Sequence, residues 1–189
     1  MDNAATNANL EYAVKTWAPG ADNLFIYLVG HGKSGEFEIG EWERLSAQDF
    51  DTWSDSAQDA IPDFVAMLYD ACRSGSFFPY LQPPAGKTRV LIASAGGDER
   101  AIFMAEGGLS FGFHFFAQLH NGASFYNSFT RAKKSVEAAY DFEQNPQIEA
   151  DGNVNGDKKI DQDIARSIKV GLEKVFASKI PRIQGVCAP

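Results

Sequence analysis

Residues 24–29, LFIYLV, form a continuous run of apolar residues with high β-propensity, and the run ends in the tripeptide GHG. A short apolar run without polar alternation is typical of a strand covered on both faces, as in a parallel α/β sheet. Two runs of the same kind follow, FVAMLY at residues 64–69 and RVLIA at residues 89–93. Helical stretches separate the three runs, so the sequence predicts an α/β sandwich with a mostly parallel sheet.

Amphipathic and apolar segments around these runs supply the predicted helices. The first begins at about residue 6, has apolar side chains at i, i+3, i+4 and i+7, and stops before a Pro-Gly pair. Ser46 is the predicted N-cap of a second helix, which opens at about Ala47. The remaining predicted helices cover residues 111–119, 124–140 and 164–177.

Length and composition bound the class of protein. The chain has 189 residues, 44% of them hydrophobic and 22% charged, which is close to the norm of a globular domain. We therefore expect one domain over residues 1–180, with a loop rich in Asp, Asn and Gly at residues 146–163 inside it. Residues 181–189 are expected to form an extended tail.

Charge and hydropathy limit the expected partners. The net charge is −8 and the sequence pI is about 4.8, so the field of the protein repels phosphate, and neither nucleic acid nor an anionic membrane is an expected partner. No window approaches the roughly 18 apolar residues of a membrane helix. The first residues are polar and carry no apolar signal-peptide core, which leaves the compartment open, with an extracellular or envelope location among the options.

Two residues with catalytic chemistry follow predicted strands at the point where each strand ends. His31 follows the first run, and Cys72 follows the second. The carboxyl ends of parallel strands meet at one edge of a sheet, where such folds gather their working residues. Cys72 lies beside Arg73 and before a Ser-Gly turn, surroundings that favour a nucleophilic thiolate. A buried structural cysteine and a structural histidine are the alternatives, and the residue pattern alone leaves them open.

Four stretches of the chain resemble a known family. LFIYLVGHG at residues 24–32 and DACRSGSF at residues 70–77 resemble the histidine and cysteine motifs of the legumain-like cysteine peptidases, the asparaginyl endopeptidases related to caspases, metacaspases and gingipains. RVLIASAGGDERA at residues 89–101 and GGLSFGFHFF at residues 107–116 continue the match, which is closest to bacterial members. The resemblance implies a caspase-like three-layer α/β/α sandwich that hydrolyses peptide or protein substrates and requires no cofactor.

The resemblance also implies roles for individual residues. Cys72 falls on the nucleophile and His31 on the catalytic histidine, while the backbone amides of Gly32 and Cys72 fall on the oxyanion hole. Asp70 and Ser94 fall on positions that line the pocket for the residue at the cleaved bond. From the sequence alone, Asp70 could equally cap the turn that follows its strand.

The chain departs from the family's pattern before its first predicted helix. Family members have a strand–helix–strand unit there, which this sequence lacks and which would cover the strand at residues 24–29. An uncovered apolar strand edge favours pairing with another chain. We therefore expect either a fragment of a longer protein or a homodimer formed through this edge. The alternative functions are a non-catalytic interaction module on the same scaffold, and a ligase in which an amine resolves the acyl-enzyme.

A second nucleophile pattern surrounds Ser110. Residues 108–112, GLSFG, match the G-x-S-x-G pattern of serine hydrolases. His120, the histidine that would complete a triad, is ten residues further along the same predicted helix, and no helix turn brings it back to Ser110. We therefore interpret Ser110 as the N-cap of that helix.

The sequence offers one weak metal motif and one further thiol. Asp151, Asn153 and Asn155, followed by a glycine, resemble the first half of a calcium loop, but Gln162 stands at the twelfth position in place of Glu. A solvated loop with Asx turns is the alternative to this calcium site. The only cysteine besides Cys72 is Cys187, and we expect an unpaired thiol there, since two cysteines make no disulfide framework.

Overall fold

The computed structural model describes residues 5–40, 42–104, 109–139, 143–150, 164–165, 168 and 185–186. Its central sheet has four strands in the order β1-β5-β6-β8. β1 (Leu24–Val29), β5 (Phe64–Asp70) and β6 (Thr88–Ala93) are parallel, and β8 (Gln147–Glu149) is antiparallel to β6. The predicted parallel sheet is thereby confirmed, since each apolar run forms one of its strands.

A small antiparallel sheet lies directly after β1 in the chain. Its strands are β2 (His31–Lys33), β3 (Glu36–Glu38) and β4 (Arg44–Ser46), in that order. The sheet packs on the central sheet through Phe37 and Leu45, which belong to the same apolar cluster as Met67 of β5.

Helices cover both faces of the central sheet. On one face lie α1 (Asn7–Tyr12), the π-helix at Ala13–Trp17 that continues it, and α2 (Ala47–Ala60). On the other face lie α3 (Phe111–His120) and α4 (Phe125–Ala139). Alternate side chains of β5 point to opposite faces of the sheet. Residues 65, 67 and 69 therefore belong to the apolar core under α1 and α2, and residues 66 and 68 to the core under α3 and α4. This is the three-layer α/β/α sandwich.

Side-chain caps fix where two of the helices begin. The Ser46 hydroxyl accepts a hydrogen bond from the Asp49 amide at 3.0 Å, and the Ser110 hydroxyl accepts one from the Phe113 amide at 3.1 Å. Both serines have the extended backbone of an N-cap. The predicted caps of α2 and α3 are therefore confirmed.

A buried arginine joins α2 to β6. The Arg89 side chain has no exposed surface, and its guanidinium lies 2.9 Å from Asp51 and 2.6 Å from Asp55 on α2. It also donates to the Gln58 side-chain oxygen at 2.9 Å. Two carboxylates and an amide thus replace the water that this buried cation has lost.

Two further strands are short, and several of the predicted features fall on residues outside the described ranges. β7 (Ile102–Phe103) pairs antiparallel with β9 (Gly185–Val186), which lies within the segment expected to be an extended tail. Among the described residues, no helix is long and apolar enough to cross a membrane. The candidate calcium ligands Asp151, Asn153 and Asn155 and most of the helix expected at residues 164–177 lie outside the described residues.

Candidate active site

The carboxyl ends of the three parallel strands lie at one edge of the sheet. The register pairs Val29 with Asp70 and Tyr69 with Ala93. The residues that follow the three strands therefore lie at the same edge. They are His31-Gly32 after β1, Ala71-Cys72 after β5 and Ser94 after β6.

Gly32 lies against the backbone of Cys72. A Cβ added to Gly32 would clash with the Cys72 carbonyl oxygen and would stand 2.5 Å from the Tyr69 hydroxyl and 3.1 Å from the Ala71 Cβ. Any side chain at position 32 would push β2 away from the turn that follows β5. Glycine is therefore what brings the backbone of β2 to the backbone of Cys72.

Tyr69 holds the small sheet over this turn. Its hydroxyl donates to the Glu36 carbonyl at 3.0 Å, and its ring packs edge-on against Phe37 and Phe77, with centroid distances of 5.4 and 4.4 Å. The Gly35 amide adds a hydrogen bond of 2.9 Å to the Ser76 hydroxyl. These contacts fix the position of β2 relative to Cys72.

The His31 side chain is exposed at the start of β2. Within the described part of the chain, its ring makes no hydrogen bond or ion pair. The structure thus brings Gly32 and Cys72 into contact and leaves the neighbouring imidazole open to a ligand.

The turn that carries Cys72 has a constrained backbone. Arg73 has a φ of 59°, in the left-handed region that side chains rarely adopt, and its amide donates to the Glu99 carbonyl at 2.7 Å. The Ser74 hydroxyl accepts from the Ala95 amide at 3.0 Å and donates to the Ala95 carbonyl at 3.2 Å. A Cβ on Gly75 would come within 2.5 Å of the Gln147 side-chain oxygen. Backbone strain of this kind persists where surrounding contacts hold it, which is common at functional turns.

Cys72 is buried beside the strand β7 and is not a thiol in this structure. Its Sγ accepts a hydrogen bond from the Ala101 amide at 3.2 Å, and the side chain packs on Ala95 and Phe103. Cys72 is disulfide-bonded. A thiolate at this position therefore requires reduction first.

Asp70 is fully buried behind the edge, on the α3 side of the sheet. Its Oδ2 accepts from the Gly112 amide at 2.8 Å and from the Tyr27 hydroxyl at 3.4 Å. Burial raises the pKa of Asp70 to about 6, against the opposing effect of the Ser94 hydroxyl, the Gly112 amide and the remaining donors. The carboxylate thus caps the first turn of α3.

Ser94, the residue that follows β6, is fully buried. Its hydroxyl is 3.5 Å from the Ala71 carbonyl, and its amide donates to the Tyr69 carbonyl at 3.0 Å. Ser94 therefore connects the end of β6 with the end of β5, next to Asp70.

Two polar residues that the sequence did not single out also shape this edge. The Gln144 side chain accepts from the Ile102 amide at 3.1 Å and donates to the Ser94 carbonyl at 2.8 Å, so it fixes β7 beside β6. Glu99 accepts from the amides of Gly96 and Asn145 at 2.7 and 2.8 Å. Burial opposes its ionisation, but the Asn145 side chain and both amides hold the pKa of Glu99 below its usual value. Both residues lie in loops far along the chain, where no local pattern marks them.

The serine-hydrolase alternative finds no support in the geometry. Ser110 caps the N-terminus of α3 and His120 is the last residue of that helix, so about 15 Å of helix rise separates them. Among the described residues, no group of three or more His, Cys, Asp or Glu side chains could hold a metal ion.

Comparisons with known proteins agree with this fold. A model of the peptidase C13 family matches residues 12–166, which is most of the chain. No curated protein matches the sequence. The crystal structure of protein GSU0716 from Geobacter sulfurreducens is similar in fold, with a TM-score of 0.50 and 14% sequence identity over 82% of this chain and 77% of that one.

Proposed function

The chain belongs to the peptidase C13 family, and from this premise we propose that it is a cysteine endopeptidase that uses Cys72 and His31. Membership of this family implies cysteine peptidase activity. The residue-level assignment rests on the two motifs in the sequence and on the geometry of the strand ends.

The contact between Gly32 and Cys72 carries the proposal. It presses the backbone of one motif against the backbone of the other, at the edge where parallel sheets gather catalytic groups. It also explains why position 32 must be glycine. A structural cysteine at the end of β5 would place no such demand on β2.

The proposed reaction begins once Cys72 is reduced. Its thiolate attacks the carbonyl carbon of the scissile peptide bond, and the amides of Gly32 and Cys72 stabilise the oxyanion that forms. His31 gives a proton to the leaving amine, and it then takes one from the water that hydrolyses the acyl-enzyme. The family's pocket positions suggest that Asp70 and Ser94 select the residue at the cleaved bond.

The test is labelling by a peptidyl electrophile that carries Asn at its reactive end, followed by intact mass, with the protein kept reduced. We expect one label on the wild-type chain and on Ser110→Ala, and none on Cys72→Ala. His31→Ala should react with a small alkylating reagent but not with the peptidyl electrophile, whereas His120→Ala, which changes an exposed histidine at the far end of α3, should behave as wild type.

Two results would contradict the proposal. Loss of labelling in Ser110→Ala equal to that in Cys72→Ala would favour the serine hydrolase. If only the small alkylating reagent labels the reduced wild-type chain, the peptidase assignment fails for this substrate class and the non-catalytic module gains support.

A further inference from the structure

The neighbourhood of Cys72 contains a chain segment that the proposed mechanism does not use. β9 (Gly185–Val186) lies antiparallel to β7, with Val186 opposite Ile102 and Gly185 opposite Phe103. In the sequence, Val186 is followed by Cys187 and Ile102 is preceded by Ala101. Ala101 is the residue whose amide donates to the Sγ of Cys72.

The hydrogen bonds of β7 show which edge β9 takes. The Ile102 amide is bonded to the Gln144 side chain, so that edge of β7 is already occupied. Amides alternate in direction along a strand, and the Ala101 amide therefore points to the opposite edge, the one left for β9. Cys72 receives its hydrogen bond on that edge, so its sulfur and β9 lie on the same side of β7.

From this juxtaposition we infer that Cys187, the residue that follows β9 in the sequence, is the disulfide partner of Cys72, and that the resulting bond holds β9 beside the site as a redox-controlled latch. Cys72 is disulfide-bonded, and the sequence has one other cysteine, Cys187. The expectation that Cys187 is an unpaired thiol is therefore replaced. Sequence spacing gave no hint of the pairing, because 114 residues of chain separate the two cysteines.

The latch blocks the site in two ways, if the proposed peptidase function holds. The sulfur that must attack the substrate is covalently occupied, so no thiolate exists. β9 also fills the edge of β7 on which an extended peptide would add as a strand next to Cys72. The oxidised protein is then a resting form, and a thiol reductant activates it.

The activation step is a thiol–disulfide exchange. A thiolate attacks the Cys187 sulfur, the bond to Cys72 breaks, and Cys72 leaves as its thiolate. A second thiolate resolves the mixed disulfide, so that two thiol molecules are oxidised to one disulfide while Cys72 and Cys187 are both reduced. A small disulfide reverses the reaction by the same steps.

The first measurement maps the bond itself and does not depend on activity. The full chain is treated with a small disulfide, alkylated with iodoacetamide, digested and analysed by mass spectrometry without reduction. We expect a cross-linked pair of peptides containing Cys72 and Cys187, no alkylation of either cysteine, and alkylation of both after reduction. Complete alkylation of both cysteines in the oxidised wild-type chain would overturn the inference.

The second measurement compares how fast the peptidyl electrophile labels the protein with and without the disulfide. Without reductant, Cys187→Ser should react with the peptidyl electrophile at a rate at least about 100-fold above that of the oxidised wild type, since only the variant has a free nucleophile. Ala188→Ser, which alters the same segment but keeps both cysteines, should stay unreactive until reduced. Equal rates for oxidised wild type and Cys187→Ser would overturn the latch.

A failure of the peptidase proposal looks different. In that case the cross-linked peptide is present, and iodoacetamide modifies Cys72 in Cys187→Ser, but the peptidyl electrophile labels neither this variant nor the reduced wild type. That result keeps the disulfide and discards the peptidase.

Discussion

Gly32 is the residue on which the contact between the two motifs depends. The Cys72 carbonyl, the Tyr69 hydroxyl and Ala71 lie so close to the Gly32 backbone that they leave no room for a Cβ. Two of these neighbours belong to the backbone or to the short side chain of the β5 turn, which the hydrogen bonds of Ser74 hold in place. The turn therefore has little freedom to yield.

We expect Gly32→Ala to destabilise the protein by about 1–3 kcal/mol, the usual range for inserting an extra carbon into a tightly packed site. Displacement of β2 should also lower the labelling rate of reduced Cys72. Urea unfolding measures the first effect. Gly97→Ala is the matched control, because a Cβ there meets its nearest neighbour at an ordinary 3.4 Å. Equal stability of the two variants would show that β2 does not press on the turn.

The contribution of Asp70 to stability depends on pH. Burial raises its pKa from 3.8 to about 6, so between these values the folded protein keeps a proton that the unfolded chain has lost. The unfolded state then binds fewer protons, and stability falls as pH rises through this window. Above pH 6 the full cost of the buried charge is present, about 3 kcal/mol at 1.4 kcal/mol per pH unit.

Asp70→Asn should remove this cost while its side chain still accepts from the Gly112 amide. Relative to wild type, the variant should therefore gain about 2–3 kcal/mol more at pH 7.5 than at pH 4. Urea unfolding at the two pH values measures this difference. Asp59→Asn, an exposed change on α2, should show no such difference. If Asp70→Asn shifts stability equally at both pH values, the carboxyl does not titrate as described.

α2 is attached to β6 by an ion cluster in which the cation is buried and the two carboxylates are partly exposed. The Arg89 side chain is fully buried, whereas Asp51 and Asp55 keep 26% and 43% of their side-chain exposure. Loss of the arginine would let both carboxylates hydrate, but loss of the carboxylates would leave a cation that water cannot reach. The second change is therefore the severe one.

Asp51→Asn/Asp55→Asn should cost about 3–5 kcal/mol of unfolding free energy, since it leaves the buried guanidinium uncompensated. The control is Asp59→Asn/Asp63→Asn, which makes the same charge change at two exposed positions and should have little effect. Thermal unfolding at one pH and salt concentration compares them. Similar losses in both double variants would mean that net charge, and not this cluster, sets the stability.

Elements whose signal is local were predictable from the sequence. The strands β1, β5 and β6 are continuous apolar runs, and Ser46 and Ser110 are caps placed directly before helical periodicity. Each of these signals is complete within about ten residues, so no tertiary information is needed to read it.

Features that depend on distant partners were not predictable. Arg89 stands in an apolar strand because α2, more than 30 residues earlier, supplies its carboxylates. Gln144 fixes β7 from 42 residues away, and no local spacing marked the disulfide of Cys72. The cysteine and histidine motifs marked the site, but the contacts that set its geometry come from the folded chain.

In the part of the chain that the structure describes, β1 is the outer strand on one side of the central sheet. Within the described ranges, β1 pairs only with β5, so its outer edge is unpaired there. The Gly30 amide donates to the Asp70 carbonyl, which points toward β5. By alternation, the amides of Ile26 and Leu28 also point toward β5, and those of Phe25, Tyr27 and Val29 point to the outer edge. A second copy of the chain could add there as a strand.

We expect the chain to form a homodimer through this edge, because the strand is apolar and has no charged or proline residue to block pairing. Hydrogen exchange followed by NMR at high and low protein concentration tests this. The outward amides of Phe25, Tyr27 and Val29 should be protected at high concentration and lose protection on dilution. The inward amides of Ile26 and Leu28 should stay protected throughout, which makes them internal controls. Outward amides that exchange equally fast at both concentrations, with the mass of a monomer, would show that the edge is not the dimer contact.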